Sequence, residues 1–80
     1  MDTYTIVKNR ILQLLGEKGM SIHKLAIESA VAPSSIKNIL YGKSKNPGIV
    51  TLKMLCDGFE ITLADFFNTE DFKNLEQEIK

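Results

Sequence analysis

Apolar residues along this chain recur at steps of three and four, grouped into six segments that each predict a helix. Tyr4, Val7, Ile11, Leu14 and Leu15 form one stripe and predict a helix over about 4–18, with Thr3 or Thr5 as its cap and Gly19 as its stop. Ser21 is a good N-cap for a second helix over about 22–29, in which Leu25 gives an apolar point and Ala26 a small residue where another helix must approach closely. Ser29-Ala30-Val31-Ala32 breaks that pattern. Pro33 suits the first position of a new helix, because its missing N–H needs no partner there. Ile36, Ile39 and Leu40 bury one face of this third helix, about 33–41, and Gly42 ends it.

The polar run Lys43-Ser44-Lys45-Asn46-Pro47 reads as a loop. A fourth helix follows over about 49–58 and a fifth over about 63–68. Thr69 followed by Glu70 and Asp71 is a fresh helix start, with acids at the positive end of the dipole. Phe72, Leu75 and Ile79 keep helical spacing after it, so a sixth helix is expected over about 70–79. There is no repeat, low-complexity stretch or linker.

Two short helices split by a tight turn, over Ser21–Gly42, make a helix-turn-helix, the shape that lays a helix in the DNA major groove. Ser21, Leu25, Ala26, Val31, Ser35, Ile36, Gly42 and Lys43 resemble, at matching spacings, the Cro and phage-repressor (XRE-like) helix-turn-helix family. The likeness continues through Asn46-Pro47, Thr51-Leu52, Ile61-Thr62-Leu63 and Phe66-Phe67, and so covers roughly residues 6–68. The resemblance implies an all-α, five- or six-helix lambda-repressor-like domain, with residues 1–68 as the DNA-binding unit and 69–80 as a C-terminal helical extension of it.

Several positions depart from the family pattern. The family commonly has Gln directly after the helix-2 cap, bracing the reading residues; this chain has Ile22, followed by His23 and Lys24, which are expected to face solvent or the DNA backbone. The turn glycine is Ala30, at a cost of about 1 kcal/mol if φ is positive. Ala32 replaces the usual Ser/Thr cap of helix 3, again at about 1 kcal/mol. Many relatives pair an Arg late in helix 1 with a Glu near the end of helix 3, whereas both positions here are leucine, Leu15 and Leu40. Replacing both partners of a buried pair by apolar groups can be neutral or stabilising. The two leucines are therefore expected to be buried against each other, near Ile11, Leu25 and Ile36.

Composition changes the picture in one respect. The net charge is zero, which argues against nucleic acid until its distribution is considered. Residues 1–53 hold eight Lys or Arg against three acids, while residues 54–80 hold two against seven. The helix-turn-helix lies in the basic half, and the acidic half is expected to face away from phosphate.

On this geometry Pro33, Ser34, Lys37 and Asn38 are the expected base contacts, since Asn can pair bidentately with adenine and Lys can donate to guanine. Ser21, Lys43, Lys45 and Asn46 are the expected phosphate contacts, which position without reading sequence. No metal site or cofactor is expected: one His and one Cys give no metal-ligand spacing, and there is no Gly-rich phosphate loop and no nucleophile–base pair, so no enzyme is read here. Cys56 and the methionines Met20 and Met54 are read as core or rim packing.

The function expected is a sequence-specific double-stranded DNA-binding transcriptional regulator, a repressor acting as a homodimer on a palindromic operator. Phe66, Phe67, Phe72, Leu75 and Ile79 are surplus apolar residues and candidate dimer contacts. The alternative is a protein-interaction module, such as an antitoxin-like partner with secondary DNA binding, or an adaptor that kept only the fold. One cysteine and the absence of a signal-like or membrane-spanning run lead to the expectation of a cytoplasmic protein with no membrane partner, and no small-molecule effector domain is visible.

Overall fold

The computed structural model describes residues 1–79, and these form six helices and no strand. The helices are α1 (Thr3–Lys18), α2 (Ile22–Ser29), α3 (Pro33–Leu40), α4 (Ile49–Phe59), α5 (Leu63–Phe67) and α6 (Glu70–Lys73). Their ends follow from local chemistry. The cap of α1 is Asp2, not Thr3 or Thr5: its carboxylate accepts the Thr5 N–H at 2.9 Å, and a carboxylate is the stronger acceptor at a helix N-terminus. Gly19 closes α1 in the left-handed region at φ 61°, with Met20 N–H returning to Leu15 C=O at 2.9 Å. Ser21, Thr62 and Thr69 cap α2, α5 and α6 through their hydroxyls.

One core joins all of these elements. Ile11, Leu25, Ile36, Leu55, Phe59 and Phe66 are fully enclosed, and Leu15 and Leu40 both belong to the same buried cluster. The apolar pair therefore replaces a polar one without stranding a charge. α2 and α4 make the most extensive helix–helix contact, and Gly58 of α4 lies close against Ser29 of α2; Ala26 is buried in the same core. A Cβ on Gly58 would lie 2.9 Å from Ser29 Cβ and 3.1 Å from Ser29 N.

The C-terminal segment departs most from its sequence pattern. α6 stops at Lys73, and residues 74–79 are not helical. Phe72 packs against the core, Leu75 is half-buried and Ile79 is exposed, so the stripe loses its apolar partner after one turn. Glu76 and Glu78 would also have sat at the negative end of a longer helix, where acids are unfavourable. The tail instead turns back to the start of α1, where Glu78 accepts the Thr3 N–H at 3.3 Å.

The phenylalanines are largely used within the domain. Phe66 is fully buried and cannot be a dimer contact, while Phe67 and Phe72 meet edge-on at 4.9 Å and pack on the core. Arg10 fastens this group to α1: its guanidinium donates to Phe66 C=O at 2.8 Å and Asp65 C=O at 2.9 Å. It thereby satisfies the Phe66 carbonyl, which the end of α5 leaves open, and adds a second bond to the Asp65 carbonyl, which also accepts the Asn68 N–H at 3.3 Å.

Ala30 adopts φ 58° at the end of α2, the left-handed conformation for which the family pattern has glycine. Its side chain is exposed, so strain is the only local consequence of the methyl group. Ala30→Gly is expected to raise stability by about 0.5–1 kcal/mol, the relief of αL strain less the added chain entropy of glycine. Thermal unfolding should register this as a rise of about 4 °C.

Candidate nucleic-acid interface

The turn centred on Ala30 and Val31 sets α3 on the surface with one face down. Ile36, Ile39 and Leu40 are buried, whereas Pro33, Ser34, Lys37 and Asn38 are all exposed on the outer face. Ala32 makes no side-chain cap bond, and Pro33 begins the helix. Tyr41, at the C-cap, is 72% exposed and extends the outer stripe by one turn from Lys37.

The loop after α3 is tied to that helix: Ser44 N–H donates to Asn38 C=O at 2.9 Å. This brings Asn38 and Asn46 onto one groove of about 210 Å³, together with Ser35, Ser44 and Thr51. Candidate base-facing and phosphate-facing residues thus adjoin each other. Ser35, Tyr41, Ser44 and Thr51 were not singled out as contacts from sequence. Ser35 and Tyr41 could have been, since both lie off the buried face of α3; Ser44 owes its place to the fold of the loop and Thr51 to the first turn of α4.

Lys43, Lys45 and Asn46 are exposed. Among the described residues Lys37, Lys43 and Lys45 enter no ion pair, whereas Lys24 pairs with Glu28 at 2.8 Å and Lys53 pairs with Asp57. The Glu28 carboxylate, by hydrogen bond and by charge, holds the Lys24 ammonium above its ordinary value. Among the described residues Lys8 and Lys18 on α1 are unpaired as well, so the three lysines around α3 are free but share that state with two lysines on another helix. Ser21 is exposed, its oxygen accepting the Lys24 N–H at 3.0 Å, which leaves its hydroxyl proton free at the start of α2. His23 is exposed, and Ile22 packs against the core.

The two charge classes are not fully segregated. Asp2 and Glu78 line the same pocket as Lys45 and Asn46, so the folded-back tail carries acid to the edge of the basic loop. Hydrogen bonds from Thr5 hold the Asp2 carboxyl below its ordinary value, with a smaller contribution from the Lys45 charge. The acidic half is expected from sequence to face away from phosphate; one of its acids, Glu78, lies at the edge of the basic loop.

Among the described residues no group of His, Cys, Asp and Glu is arranged to hold a metal ion, and no helix is long and apolar enough to cross a membrane. Cys56 is buried, and desolvation pushes its thiol up, away from reactivity.

Residues 10–71 match the family of Cro/C1-type HTH DNA-binding domains. The chain belongs to that family. This Cro/C1-type domain is 37% identical over 62 residues to the HTH-type transcriptional regulator SlrR of Bacillus subtilis (strain 168), spanning 76% of this chain and 41% of SlrR. It therefore spans well under half the length of that relative. Among solved structures it is similar to the restriction-modification controller protein C.Esp1396I, with TM-score 0.74 and 28% identity over 80% of this chain and 81% of the other. It also shares its fold with prophage Lp1 protein 11, with TM-score 0.79 and 24% identity over 94% of this chain and all of the other (100%). The Cro/C1-type family is one of DNA-binding transcription regulators and not of enzymes.

Proposed function

We propose that this domain binds double-stranded DNA sequence-specifically and represses transcription by occupying an operator. The observation that carries the reading is the outer face of α3, where Pro33, Ser34, Lys37 and Asn38 stand exposed beside unpaired Lys43 and Lys45. In this reading α3 lies in the major groove with those four residues at base edges. Ser21, Lys43, Lys45 and Asn46 hold phosphate and set the register. Residues 1–68 form the DNA-binding unit, and 69–80 extend it; Lys80 lies outside the described residues. Selection of bound sequences from a random duplex pool tests the reading. It should return a defined motif, bound with an affinity that falls steeply with salt. A pool that gains no motif would overturn it.

A homodimer on a palindromic site completes the proposal, because one domain makes few base contacts and two-fold symmetry doubles them. With Phe66 enclosed, the C-terminal contact surface reduces to Ile79 and the open edges of Phe67, Phe72 and Leu75. Sedimentation is expected to give a dimer for the whole chain and a monomer for a chain ending at Asn68. Dimers in both cases would move the interface to α4 and α5, and a monomer at high micromolar concentration, with and without the selected duplex, would remove it.

A further inference from the structure

The last turn of a helix leaves its carbonyls without helical partners, and the reading helix must satisfy them to keep its end fixed. In α3, Lys37 C=O takes the Tyr41 N–H at 2.8 Å and Asn38 C=O takes the Ser44 N–H at 2.9 Å. Ile39 C=O takes the hydroxyl of Tyr4, from the first turn of α1. This bond ties the first turn of α1 to the end of α3, whereas Leu15, near the far end of α1, and Leu40 contribute only apolar side chains to the core. Apolar contact is non-directional and fixes depth better than it fixes the rotation of a helix. A hydrogen bond to the carbonyl beside Asn38 does fix rotation. The Tyr4 ring is only half-buried and lines a pocket of about 510 Å³ with Val7, Leu52 and Phe67. The ring packs on the core at the edge of this pocket, and its hydroxyl adds to that packing a directional tie to the end of α3.

We propose that Tyr4 is a positioning residue for DNA reading, acting through the Ile39 carbonyl to hold Lys37 and Asn38 in register with base edges. The inference rests on the DNA reading above and deepens it. Tyr4 does not touch DNA in this account; it sets the angle from which its neighbours on α3 do.

The test is Tyr4→Phe in the whole chain, which removes one oxygen and keeps the ring. Binding is measured to the best duplex from the random-pool selection and to a random duplex of the same length. The variant should lose about three- to tenfold on the selected duplex, the weight of one hydrogen bond. It should stay within about twofold on the random duplex with an unchanged salt slope, since phosphate contacts are untouched. Amide hydrogen exchange in the free protein should quicken at Asn38 to Tyr41 and hold steady in α4. A variant equal to the parent on both duplexes overturns the proposal. So does an equal loss on both, or a loss of selectivity without faster exchange at the end of α3, because either places the effect elsewhere. If the parent itself shows no preference for any duplex, the DNA reading fails first and this inference with it; a preference kept by the variant fails this inference alone.

Discussion

Gly58→Val is expected to destabilise the chain by about 3 kcal/mol or more, lowering its melting temperature by about 15 °C. Two effects oppose each other at this position. Glycine inside a helix costs about 1 kcal/mol relative to alanine, so any side chain gains propensity. Against that, a Cβ here meets Ser29 Cβ at 2.9 Å, Ser29 N at 3.1 Å and Leu25 Cδ1 at 3.2 Å. One of these atoms is backbone and cannot swing aside, so α2 as a whole must move. Alanine should therefore come out mildly destabilising, by about 1 kcal/mol, and valine, with two further methyls, severely so. Domains of this size have only about 0.05–0.15 kcal/mol of stability per residue to lose. Since α2 also carries α3, binding to the selected duplex should weaken along with the melting temperature. Thermal unfolding followed by far-UV circular dichroism is the check. A valine variant melting within a few degrees of the parent would show that α2 and α4 do not meet this closely.

Substitutions on α3 and on the loop behind it are expected to separate cleanly. Lys37→Ala and Asn38→Ala should each cost about 1–3 kcal/mol on the selected duplex and relax preference at one or two base pairs. Both side chains are exposed on the outer face of α3, with no intramolecular ion pair to lose, so little of that loss can come from folding. Lys43→Ala and Lys45→Ala should weaken binding to every sequence alike, each flattening the slope of log K against log salt by about 0.9 if a full phosphate contact is lost. Titrations of all four variants against selected and random duplexes at several salt concentrations make the comparison. Four indistinguishable profiles would mean that α3 is not the reading element.

What sequence conveyed and what it hid divide along the range of the interactions. Ser21, Gly19, Pro33 and Thr69 act within a few residues of themselves, so the end of α1 and the starts of α2, α3 and α6 were legible from spacing and cap chemistry. Asp2 was missed in favour of two nearby threonines, a choice among adjacent acceptors that spacing alone does not make. The positive φ of Ala30 and the burial of Leu15 and Leu40 follow from the family resemblance and are present. Gly58 and Arg10 were passed over because their partners, Ser29 and Phe66, are far away in sequence. The tail misled through periodicity: Phe72, Leu75 and Ile79 keep a helical step, yet only the first finds a core to pack on. For the candidate interface, the exposure of Pro33, Ser34, Lys37 and Asn38 could be read from the buried face of α3. The junction of Asn38 with Asn46 could not, because it is made by a backbone bond from Ser44.

The folded-back tail also bears on what a salt titration of this domain measures. Cations that dock on a duplex release mobile counterions from it, and the salt slope counts them. Lys45, however, already shares its pocket with Asp2 and Glu78. These carboxylates are tethered to the chain and cannot diffuse away when phosphate arrives. They remain as fixed negative charge bordering the same pocket, and charges act on one another over a Debye length of about 8 Å at physiological ionic strength. If Lys45 meets phosphate as proposed, the slope is expected to fall short of the number of lysines in contact, and Glu78→Gln is expected to raise affinity for random duplex at low salt.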